Sequence, residues 1–117
     1  MEVARIISGM TQKNQELSIK VDELESLGEQ RAQAERNYKV AYATKLMLLR
    51  TDGIQMALIN DVAKGDRNVS KLKFEWDLKD AMFRACLERI KSIDKAIETY
   101  RSILSWEKME FEKSGLS

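Results

Sequence analysis

Nineteen carboxylates and one thiol hold most of the chemical potential of this 117-residue chain. Asp22, Glu25 and Glu29 are spaced to share one face of a helix, and so are Glu107 and Glu110. Such sets suit a divalent cation or an acid–base pair. The composition argues against both uses. The chain has no histidine, and carboxylate metal sites in helical bundles pair glutamate with a Glu-x-x-His motif. An acid-rich helix also turns such faces to water in the ordinary course of folding. The carboxylates therefore read as solvated surface, with no metal, no cofactor and no catalytic residue. Without histidine, neither a Ser-His nor a Cys-His pair can form. Cys86 has no partner for an internal disulfide and reads as a small buried apolar residue. The chain is expected not to be an enzyme.

What remains is recognition by apolar or charged surface. Trp76, Trp106, Phe74 and Ile103 are the large side chains to place, because tryptophan concentrates where binding energy does. The 20 basic residues nearly cancel the acids, leaving a net charge of +1, but they are unevenly distributed. From Arg36 to Lys73 there are eight basic residues against Asp52, Asp61 and Asp66. Arg50, Lys64, Arg67, Lys71 and Lys73 are the candidates for meeting a phosphate backbone or an acidic protein surface.

The elements that carry these groups are helices. The chain has no proline, and it is rich in residues that lose little rotamer freedom in a helix. Val69, Trp76, Phe83, Ile90, Ile97, Leu104 and Phe111 recur every seven residues. A second stripe runs Leu72, Lys79, Cys86, Ile93, Tyr100, Glu107. This heptad seam predicts one helix over about 69–113. The N-terminal half repeats the pattern, with Val3, Met10, Leu17, Leu24, Arg31 and Tyr38 in one stripe and Ile6, Lys13, Lys20, Leu27, Ala34, Ala41 and Leu48 in the other. A helix over about 2–50 follows. Asp52-Gly53 and Gly65-Asp66 are the chain breakers between them, and they enclose a short helix within a tip of about 51–68, where Ile54, Leu58, Ile59 and Val62 have helical spacing. Asp66 or Asn68 is placed to cap the helix that follows.

Two helices of matched length joined by a reversing tip predict an all-α fold: a single domain over 1–117, built as a long antiparallel helical hairpin of coiled-coil type. With the chain reversing over this tip of some 18 residues, residue i faces roughly 121 − i. That pairs Tyr38 with Phe83, Leu24 with Ile97, Leu17 with Leu104 and Met10 with Phe111. Lys79 and Arg31 interrupt the seam, either fixing register or snorkelling outward on packed stems. Trp76 lies on the seam and reads as core; Trp106 lies off it and reads as an intermolecular contact. Phe74, Trp76, Leu78, Met82, Leu87, Ile103 and Trp106 spread around the second helix and exceed what one hairpin buries, so either the tip folds back over some of them or a second copy covers them; a homodimeric helical bundle is expected, with another protein on the apolar face as the alternative. The tip also loosely echoes a helix-turn-helix that would aim Lys71 and Lys73 at a groove.

The N-terminus lacks the pattern of a secretory signal, and Leu46–Leu49, the longest nearly apolar run, is far too short to cross a bilayer. A soluble cytoplasmic protein with reduced Cys86 and no membrane partner is the expectation. The run Tyr42-Ala43-Thr44-Lys45-Leu46-Met47-Leu48-Leu49-Arg50-Thr51-Asp52-Gly53, with Asp61-Val62-Ala63-Lys64-Gly65 and Lys71-Leu72-Lys73, resembles small helical proteins encoded by temperate phages and prophages of Gram-positive bacteria. That resemblance covers most of the chain. It implies an accessory or host-modulating protein of the host cytoplasm, whose partner is a recombination or replication factor or a host defence machine. It carries over no functional residue.

Overall fold

The computed structural model describes residues 2–115. Three helices follow in order: α1 Glu2–Thr51, α2 Met56–Gly65 and α3 Arg67–Lys113, with no strand among the described residues. The long helices α1 and α3 pack against each other with α2 between them in sequence, the hairpin that the two seams require. By contact density the chain divides into two units. One holds α1 up to Leu24 with α3 from Ala85; the other spans Glu25–Arg84.

The heptad stripes lie inward, as amphipathic periodicity demands. In the first unit Ile6, Cys86, Ile93 and Ile97 are buried, and Met10, Leu17, Ile90 and Leu104 are half-buried. Tyr100 lies across Gly9, where an added Cβ would come within 2.6 Å of the ring. Glu16 accepts hydrogen bonds from Arg89 of α3 and Lys13 of its own helix, and these two cations, Arg89 foremost, hold its carboxyl below the usual glutamate range.

In the second unit Leu27, Ala34, Leu49 and Val69 are buried. The reversal there is a C-terminal capping motif. The Gly53 amide donates to the Arg50 carbonyl at 3.1 Å, and the Ile54 amide reaches back to Leu49 at 3.1 Å. Gly53 sits at φ 79°, a left-handed conformation in which a Cβ would clash with the backbone. Ile54 then packs onto the cluster of Leu49, Ile59 and Ala63, along with Tyr42 and Leu46. The Tyr42 hydroxyl also donates to Asn60 Oδ1 at 3.1 Å. α2 therefore lies along the end of α1 and already runs in the return direction.

This moves the register away from the expected one. The chain reverses at Gly53 alone; Gly65 merely ends α2, at negative φ. The centre of the hairpin shifts toward the N-terminus, and opposing residues differ from 121 − i by roughly three helical turns. Phe83 meets Gly28 and Arg31 instead of Tyr38, whereas Tyr38 packs on Trp76 with ring centroids 5.5 Å apart. Tyr100 meets Gly9 instead of Val21. On α2 the buried pair is Ile59 and Ala63, while Leu58 and Val62 face water. In α1 the stripe passes from Leu48, which is exposed, to the buried Leu49.

The interruptions of the seam combine both expected roles. Lys79 donates to Gln30 Oε1 across the helices at 2.7 Å. Arg31 pairs with Asp80 at 2.9 Å and lays its guanidinium over Phe83, 4.8 Å from the ring centroid. Their stems pack while their heads find α1–α3 partners that exist in one register only.

Asp66 caps α3. Its Oδ2 accepts from the amides of Asn68 and Val69, each at 3.1 Å, and Lys45 pairs with Oδ1 at 3.4 Å. The Val69 amide, then Lys45, hold this carboxyl below its ordinary value of 3.8. A depressed carboxyl stabilises the fold above that value and loses its contribution as pH falls through the lowered folded-state value. Asp66→Ala should lower the thermal midpoint by a few degrees at pH 6. The gap to wild type should close as pH drops well below 3.8, and a gap that stays constant in acid would assign it to packing.

Two glycines within α1 offer a paired test. A Cβ at Gly28 meets Phe83 at an ordinary 3.4 Å, so Gly28→Ala should stabilise by about 0.5–1 kcal/mol in chemical denaturation. Gly9→Ala gains the same helix propensity but must displace the Tyr100 ring, so it should show no gain or a loss.

Candidate interaction surfaces

Asp22, Glu25, Glu29 and Glu110 are exposed, and no three acidic, cysteine or histidine residues cluster to hold a metal ion among the described residues. Glu107 is half-buried on the rim of an apolar groove. Cys86 is buried, its thiol donating to the Lys20 carbonyl at 3.4 Å.

The apolar surplus separates into patches within the two units. In the second unit Phe74, Leu78 and Met82 project from successive turns of α3 and are 66%, 47% and 42% exposed. In the first unit Ile103 and Trp106 are exposed on α3 together with Met109 and Phe111. Beside them runs an open groove of about 620 Å³, lined by Val3, Leu104 and Phe111 and by Arg101, Ser105, Glu107 and Lys108. Leu104 and Phe111 are seam residues. The expected register paired Phe111 with Met10; in the observed one Phe111 is left 57% exposed. Periodicity revealed that these residues belong to a seam, and only the register showed that Phe111 lacks cover.

The basic candidates behave in two ways. Arg50, Lys64, Arg67 and Lys71 are exposed, with no carboxylate within salt-bridge distance among the described residues. Lys73 pairs with Asp77 at 2.7 Å, which raises its affinity for the proton, and also lies 4.6 Å from the Trp76 ring and 5.8 Å from Tyr38. Tyr38 in turn stacks on Tyr42 at 5.7 Å, and Lys39, paired with Glu35, lies 6.0 Å from Trp76. A hollow of about 260 Å³ opens beside this row, lined by Tyr38, Lys64, Val69, Ser70 and Lys73. Trp76 is thus half-buried, neither plain core nor free surface. Sequence reading picked out Lys64, Lys73 and Trp76 separately; their convergence around Tyr38 depends on the register.

The class these features define is an all-helical hairpin with unpaired apolar and basic surface. Comparison with known protein families, curated proteins and solved structures finds no match to the chain.

Proposed function

We propose that this chain is a non-enzymatic helical adaptor that binds a larger protein through exposed apolar patches of α3. The observation that carries this reading is the exposure of Phe74, Ile103 and Trp106, three large side chains whose burial is worth about 1.5–3 kcal/mol each. The resemblance to phage and prophage proteins supports a host-cytoplasmic setting. There the partner is a recombination or replication factor, or a defence machine that the protein blocks. Part of the same surface serves a homodimer, with the open groove at Leu104 and Phe111 as its natural contact.

Capture from a host lysate, repeated with nuclease and at high salt, tests the reading. The same partner should be retained in all three conditions. Phe74→Ala or Trp106→Ala should weaken retention by about 2 kcal/mol, the scale of a central aromatic contact. Loss of the partner on nuclease treatment would overturn the apolar mode.

Direct binding of nucleic acid by the tip is the second reading, favoured by Arg50, Lys64, Arg67 and Lys71, which have no carboxylate partner among the described residues. Its mark is affinity that falls steeply with salt.

A further inference from the structure

We propose that the row Trp76, Tyr38 and Tyr42, with the adjoining hollow at Lys64, Ser70 and Lys73, binds a single strand of nucleic acid. This deepens the second functional reading and stands apart from the apolar one, since it uses none of Phe74, Ile103 or Trp106.

Three of the chain's eight aromatic residues stand in line here, with centroids 5.5 and 5.7 Å apart. Lysines border the row: Lys73 and Lys39 over the rings and Lys64 at the hollow. Stacking rings interleaved with cations are what a single strand requires, because every base has a π-face and every linkage a negative charge. In the hollow, the Lys64 and Lys73 ammonium groups and the Ser70 hydroxyl supply donors for one phosphate. Lys64 has no competing carboxylate within 4.0 Å among the described residues.

The depth of the rings favours a single strand over a duplex, and the ion pairs beside them leave room for its phosphates. The rings are half-buried between α1 and α3, where paired and stacked bases cannot reach them but an unstacked base can. The pairs Lys73–Asp77 and Lys39–Glu35 are exposed surface pairs, and such pairs are weak enough for a phosphate to displace the carboxylate. Stacking does not read base identity, so binding tolerates sequence differences, and it falls with salt as the phosphate contacts are screened.

The test is titration of the full chain with labelled oligothymidylate of roughly 15 nucleotides and with a duplex of equal length, at 50 and 200 mM salt. Anisotropy and intrinsic tryptophan emission are read together. The single strand should bind and quench emission, and the duplex should bind roughly tenfold more weakly without quenching. Trp76→Phe keeps an aromatic ring, so affinity should stay within about threefold while the quench disappears. Lys64→Glu, at an exposed position and with its fold checked by circular dichroism, should weaken binding roughly tenfold and reduce the salt slope by about 1. Absence of binding at 50 mM salt overturns the proposal. So does equal affinity for duplex, a quench that persists in Trp76→Phe, or an unchanged Lys64→Glu variant. None of these outcomes affects lysate capture through Phe74 and Trp106, so failure of one reading is separable from failure of the other.

Discussion

Ile93→Ala should cost about 2–5 kcal/mol, the range for deleting a large aliphatic group from a packed site. Ile93 is only 1% exposed, and it shares the first unit with buried Cys86, Ile97 and Ile6. Since helical packing here is almost wholly apolar, with no buried polar side chain among the described residues, little else compensates for the loss. A domain of this size has about 5–15 kcal/mol in total, so the variant should give up a large fraction of its stability. Denaturant unfolding at fixed protein concentration measures it, with Ile19→Ala as the control. Ile19 is 65% exposed, and its truncation should fall within about 0.5 kcal/mol of wild type. A loss below about 1 kcal/mol at Ile93 would refute the tight α1–α3 packing.

The second large effect is local. Ile59, 4% exposed, anchors α2 to Leu49, with Ala63 wholly buried beside it. Helices of ten residues are marginal alone, so α2 persists because this cluster holds it. Ile59→Ala should cost about 2–5 kcal/mol at this contact. Amide protection over Met56–Gly65 should fall roughly thirtyfold or more, as expected when a local opening becomes 2 kcal/mol easier. Exchange in α3 around Ile93 and Ile97 should change much less. Uniform loss of protection along the chain would show that α2 does not open on its own.

These predictions rest on features of unequal legibility. Helices α1 and α3 could be read from composition and period, because Trp76, Phe83, Cys86, Ile90, Ile93 and Ile97 all turn inward as their spacing requires. The break at Gly53 was legible too. Its role as the sole reversal was not, because Gly65-Asp66 carries an equally strong turn signal and only the packing of Ile54, Ile59 and Ala63 on α1 distinguishes them. Phe74, Ile103 and Trp106 were identified as surplus from their positions off the seam, and all three are exposed. The groove at Val3, Leu104 and Phe111 and the gathering of Lys64 and Lys73 at Tyr38 were not, since both join residues far apart in the chain.

Sequence alone therefore determined that the chain is helical, which face of each long helix is apolar, and that the chain turns back on itself. The tertiary structure decided which residues of α1 meet which of α3. The physical reason is that a heptad seam is degenerate: sliding one helix by a whole repeat leaves every stripe still facing its partner. That degeneracy is broken only by contacts of particular shape and charge, such as Tyr100 over Gly9, Arg31 with Asp80, and Ile54 folding onto the end of α1.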